Sequence, residues 1–159
     1  MRTDEELTVY RYRGARASVI LHGRHLRKFY DTWQIARGSG VRLPETEDPN
    51  YQSYDALLRH VLHWAREYMM WMCEKLELPP PEIPPPPSVD EVAEKGESYL
   101  ELLLAEWQSP LSDVAAERFY RPEYTAPWKT KYTIDAMLEH AVMHPIRHRF
   151  QLMELMEVM

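Results

Sequence analysis

Three histidines, His140, His144 and His148, recur at four-residue spacing within the stretch 133–152. On an α-helix each step of four turns the side chain by only about 40°, so all three line one face. A helix with such a stripe needs an interior that can accept imidazoles, and that limits what the remaining helices can bring to it. Pro145 falls inside the same stretch. A proline there removes the hydrogen bond to the carbonyl of Ala141 and predicts a kink between the histidines.

The chain around this ladder reads as helical. It holds only five glycines but thirteen prolines, and the prolines cluster, which makes them punctuation between helices. Apolar residues recur at spacings of three and four in four stretches, about 17–36, 53–76, 89–107 and 133–157. The first carries Val19, Leu26, Phe29, Tyr30 and Trp33 and ends at Gly38-Ser39-Gly40. Ser53 is placed to cap the second and Thr133 the fourth. Ser88-Val89-Asp90-Glu91 has the form of a capping box at the head of the third. Gly96 costs that helix up to about 1 kcal/mol relative to alanine. The proline-rich stretch 79–87 is expected to be a stiff crossover in polyproline conformation. Residues 7–13 are rich in strand formers and predict a short extended arm packed on the body. Residues 108–131, with several prolines and aromatics, predict a loop over one end of the helices that can wall a pocket. The expected fold is all-α, with residues 1–159 forming one domain.

Composition narrows the function. A formal charge of −6 argues against nucleic acid as a partner, which calls for a basic patch. The charged start of the chain has no apolar run behind it, so no signal peptide is expected, and no stretch reaches the roughly 20 apolar residues of a membrane span. Cys73 is the only cysteine and forms no internal disulfide, which fits a cytoplasmic location.

All seven histidines fall on predicted helices: His22 and His25 on the first, His60 and His63 on the second, and the ladder on the fourth. Histidines one helical turn apart can both reach an ion at about 2.1 Å. His140 and His148 are roughly 12 Å apart along the axis and do not share one ion. The fourth helix therefore offers His140/His144 or His144/His148, and the second offers His60 or His63 as a third ligand. Glu-x-x-His pairs, which di-iron carboxylate bundles need, are absent at His60, His144 and His148.

The segments Leu57-Leu-Arg-His60-Val-Leu-His-Trp64 and His140-Ala-Val-Met-His144-Pro-Ile-Arg-His148-Arg-Phe-Gln151 resemble the DinB-like (DinB/YfiT) metal-binding proteins. The resemblance covers the second to fourth helices in order and spacing. It implies a four-helix bundle with up-up-down-down topology, with His60, His144 and His148 as ligands to a divalent metal and His140 outside the ligand set. Zinc is the expected ion, with nickel or iron as alternatives. The resemblance also implies a homodimer. Phe150 stands where such proteins commonly have glycine, and Pro145 lies between the paired ligands, so no substrate is carried over.

Two functional readings follow. One is a metal-dependent enzyme, a thiol-dependent S-transferase or a hydrolase, in which three histidines leave a coordination position open for water or a thiol cosubstrate. Glu139, His63, Tyr68 and Arg147 are its candidate helpers. The other is a non-catalytic metal-binding module in stress response or interaction, with a structural ion closed by a fourth protein ligand such as His63. A helical scaffold without metal predicts instead that His60, His144 and His148 stay apart.

Overall fold

The computed structural model describes residues 9–157. It is mostly helical, as expected. Four long helices, α1 (Arg13–Gly38), α2 (Tyr54–Lys75), α3 (Val92–Glu106) and α5 (Ile134–Glu157), account for most of the chain. A one-turn helix α4 (Glu117–Tyr120) and a two-stranded antiparallel hairpin, β1 (Tyr124–Thr125) and β2 (Lys131–Tyr132), lie between α3 and α5. A short 3-10 turn, Pro49–Tyr51, precedes α2. Among the described residues no helix is long and apolar enough to cross a membrane.

The expected caps are present where the side chains are free to make them. Ser53 accepts the Ala56 amide at the head of α2, and Thr133 accepts the Ala136 amide at the head of α5. The capping box at Ser88 does not form. Residues 89–91 make a turn in which the Ser88 carbonyl accepts the amides of Glu91 and Val92, and the Glu91 carboxylate pairs with Lys95 at 2.9 Å. α3 starts at Val92, without a side-chain cap.

The arm at 7–13 is also revised. Leu7 and Thr8 lie outside the described residues, and Arg13 already belongs to α1. Tyr10 is buried, with its hydroxyl donating to the Gln108 carbonyl, while Val9 points to solvent. Tyr12 packs on Phe119 and Tyr120. α5 runs through Pro145 as one helix.

One apolar core joins the helices. Leu26, Phe29, Leu58, Leu62, Met69, Leu100, Leu103 and Trp107 are almost fully buried in it. Gly96 has a packing reason: a Cβ there would meet Leu58 at 3.1 Å, so the glycine lets α3 approach α2.

Contacts between helices fix their directions. The head of α1 meets the head of α5 where Tyr12 bonds Asp135, and further along Arg149 donates to Thr32, so α1 and α5 are parallel. The end of α1 meets the head of α2 at Arg37–Asp55 and Trp33–Tyr54. Against α2, α3 runs parallel, with Gly96 beside Leu58 and Trp107 donating to the Ala65 carbonyl. The order is therefore up-down-down-up, a correction to the expected up-up-down-down. The reason lies in the connections. Of the connections between the long helices, the one that joins parallel neighbours is that between α2 and α3. Its residues 79–87 run back beside α2: Arg66 donates to the Ile83 carbonyl at 2.7 Å and Arg59 to the Pro87 carbonyl at 3.1 Å. Nine residues at about 3.1 Å each cover most of the length of α2.

His22 is the outlier of the core. It is 1% exposed, stacks on Trp107 with ring centroids 3.7 Å apart, and neither ring nitrogen has a hydrogen-bond partner. Burial, with a smaller push from His25, lowers its pKa to about 3. The unfolded chain takes up this proton below the ordinary histidine pKa of about 6.5 and the native state does not, so stability is full above that pH and falls as pH drops toward 3. The expected loss from this residue is about 1.4 kcal/mol per pH unit inside that window. Urea titrations of the wild type and His22→Leu between pH 6.5 and 4 check it: the variant should lose that share of the slope, and equal slopes would refute the assignment.

Candidate metal centre

The second and fifth helices run antiparallel, and this sets His60 opposite the ladder. His60 lies on the second turn of α2, held in register by the Ser53 cap and by Leu57, Leu58, Val61 and Leu62, which face the core on both sides of it. On α5, Ile134, Leu138, Ala141 and Leu152 fix the buried face, and His144 and His148 share it. The Nε2 atom of His144 is 3.2 Å from Nε2 of His60 and 3.2 Å from Nε2 of His148. The three ligand atoms all lie within 4.8 Å of one another. The scaffold alternative predicted that these rings stay apart, and they converge.

Neutral imidazole nitrogens that point lone pairs at each other repel unless a proton or a cation stands between them. His148 Nδ1–H donates to Gln151 Oε1 at 3.0 Å, which leaves its Nε2 as a bare acceptor. A proton on His144 Nε2 can satisfy one neighbour only. Protonating the group further is opposed by its surroundings. Burial first, then the neighbouring His148 and His60, lowers His144 to about 2. Burial and His60 lower His148 to about 4 against the opposing Gln151 bond. His60 is lowered by burial, with the Asp48 charge working the other way. The cluster is therefore a set of three neutral nitrogen donors at neutral pH, the form in which histidine binds a metal. Two nitrogens bound at about 2.1 Å to one tetrahedral ion stand roughly 3.4 Å apart, close to the separations observed. The three histidines can hold a metal ion.

Among the described residues no fourth histidine, cysteine or carboxylate joins the group. His63, one turn from His60, turns its ring edge to Trp64. His140 stacks on Trp128 at 5.1 Å and meets Tyr68 and Tyr132 edge-on, so it belongs to an aromatic cluster beside the centre. His22 and His25 are elsewhere on α1. Of the candidate helpers, Tyr68 packs its ring against His144 at 5.8 Å, and burial keeps its hydroxyl protonated well above the usual tyrosine range. Arg147 is exposed, though its charge helps to lower His144 and His148. Glu139 is exposed and joins no ligand group. Cys73 is buried and its thiol is pushed up to about 11, so it supplies no nucleophile.

Sequence reasoning passed over Tyr51. Its ring lies 5.7 Å from both His60 and His148, which makes it a cover on the cluster. The signal was local: Asp48-Pro49-Asn50 makes a turn, with the Asp48 carboxylate taking the Asn50 amide, directly before the Ser53 cap. That turn delivers residue 51 to the site. Arg149, next to the ligand His148, donates to Thr32 on α1 at 3.0 Å and steadies α5.

Comparison with protein-family models, curated proteins and solved structures finds no match for this chain.

Removing His60 or His148 should abolish the centre. Metal analysis of dialysed protein is expected to fall from about one ion per chain to near zero in His60→Ala and His148→Ala. Unchanged stoichiometry in either would remove that residue from the ligand set. Gln151→Leu should keep the ion but bind it about tenfold or more weakly in chelator competition, because the Nδ1 partner orients the ligand.

Proposed function

We propose that the protein is a divalent-metal-binding enzyme of the DinB-like kind, a four-helix bundle whose three-histidine centre, His60, His144 and His148, acts on a small molecule. The observation that carries this reading is the donor set: three buried, neutral imidazoles converge, and no fourth protein ligand among the described residues closes the group. Three ligands with an open position are the pattern of catalytic zinc sites, whereas structural sites supply four. That count favours chemistry over the alternative of a structural ion in a non-catalytic module.

Zinc is the ion proposed, since nitrogen donors without carboxylates suit a borderline metal. A divalent ion held there supplies Lewis acidity, which brings a water or a thiol toward its conjugate base near neutral pH. The chain does the rest. Gln151 holds the His148 tautomer, and Tyr51 shields one side of the cluster from water. Tyr68, kept protonated beside His144, is available as a hydrogen-bond donor. The family resemblance carries the reaction class, transfer of a thiol sulfur to an electrophile, with hydrolysis as the second choice. It also carries the homodimer, for which Met143 and Phe150, exposed two turns apart on α5, offer apolar surface.

The test is cobalt-substituted protein. Adding a low-molecular-weight thiol is expected to change its visible and near-ultraviolet absorption, and the zinc form should accelerate conjugation of that thiol to an alkylating electrophile. Both effects should vanish in His148→Ala. An intact ion with no spectral response to thiol and no hydrolysis of activated esters would overturn the enzyme reading and leave the structural one. Sedimentation should show a dimer that Phe150→Glu weakens; a monomeric wild type would refute the dimer.

A further inference from the structure

A cavity of about 380 Å³ lies along α2 and contains none of the three converging histidines. Its walls include Trp64, Glu67, Trp71 and Glu74, which follow one another at spacings of three and four and so share one face of α2, with Tyr68 beside them. Trp128, in the loop between β1 and β2, closes the other side. The volume falls within the range of small-molecule sites, about 300–1,000 Å³.

The chemistry of the walls is specific. Trp64 and Trp128 stand 5.7 Å apart with their planes at 73°, and Tyr68 lies 5.6 Å from Trp64. Two of the indole N–H groups are engaged: Trp71 Nε1 donates to the Thr125 carbonyl at 3.4 Å, and Trp128 Nε1 to the Tyr132 hydroxyl at 3.3 Å. These bonds pin the Trp71 and Trp128 rings to the hairpin and occupy their N–H edges, while one face of Trp128 is stacked on His140. Ring faces carry the negative part of the aromatic quadrupole. No lysine or arginine lines the cavity, and burial lowers His63, which keeps that wall uncharged at neutral pH. The two charged residues that do line it are both acidic. Glu67 is paired with Arg66 at 2.7 Å and Glu74 with Lys75 at 3.4 Å, so the aromatic rings supply the attraction. One ring is already close to a cation, since Lys75 Nζ lies 6.0 Å from the Trp71 centroid.

We propose that this cavity binds a small organic ammonium ion, seated against the aromatic wall that Trp64, Tyr68, Trp71 and Trp128 form. The electron-rich aromatic wall replaces the weak hydration of an alkylated ammonium and discriminates against a neutral molecule of the same shape. The site is separate from the metal centre. Tyr68 lines the cavity and also packs its ring against His144.

Choline and its uncharged isostere 3,3-dimethylbutan-1-ol test the proposal, titrated against the indole N–H resonances of the full chain. Choline should shift the Trp64 and Trp128 signals saturably, and the isostere should bind about tenfold more weakly or not at all. Trp128 is 37% exposed and sits on a loop, so Trp128→Ala should fold, as circular dichroism would confirm, and should weaken choline about tenfold. His148→Ala should bind choline as the wild type does. Equal affinity for the isostere, no saturation at tens of millimolar choline, or wild-type affinity in Trp128→Ala would each overturn the ammonium site. Loss of choline binding in His148→Ala would instead make the ligand part of the metal centre and refute a separate site.

Discussion

The stretch 79–87 sets the direction of everything that follows it. Two guanidinium groups of α2, Arg59 and Arg66, donate to its carbonyls and hold it against the helix that it has just left. Its Ile83 is buried, and the Pro84 carbonyl takes the Tyr99 hydroxyl of α3. Proline cannot donate a backbone hydrogen bond and favours an extended conformation, so the stretch cannot coil into another helix turn or fold back on itself. It returns the chain to the head of α2. There α3 begins parallel to α2, and the next long helix, α5, lies antiparallel to α2 with its histidines facing His60.

That antiparallel pairing turns three ordinary imidazoles into a problem in lone pairs. Each histidine alone would be a tolerable polar residue on a half-buried helix face. Together they bring three Nε2 atoms within 4.8 Å in a setting whose burial opposes protonation. Gln151 makes the conflict sharper by fixing a proton on the far nitrogen of His148. A divalent cation resolves it where a proton cannot, because one ion satisfies all three donors at once. The surrounding aromatics, Tyr51 and Tyr68, keep the rings packed and limit water.

Departures from the expectations have local causes. At Ser88 a backbone turn stands in place of the capping box, and Glu91 pairs with Lys95 one turn on. In the arm at residues 9–12 Tyr10 and Tyr12 pack as expected, on Gln108, Phe119 and Tyr120 from a distant segment, while Val9 is left exposed. The segment 108–131 reads as loop, yet it holds α4 and the hairpin, elements too short to leave a periodic signal. Its packing is clear only in three dimensions, where Phe119, Leu111 and Ala126 join the core.

The sequence by itself determined four helices, the caps at Ser53 and Thr133, and the core faces, because propensity, capping and periodicity act within a few residues. It also limited the ladder to one of two pairs, His140/His144 or His144/His148, since one helical turn brings either pair together on any α-helix. The tertiary structure decided the rest. That His60 and not His63 completes the cluster depends on the rotation of α2 against α5. That His140 is caged by Trp128 depends on where the hairpin lies, and that Tyr51 covers the site depends on the turn at Asp48. Those relations join residues far apart in the chain, and local rules carry no information about which distant faces will meet.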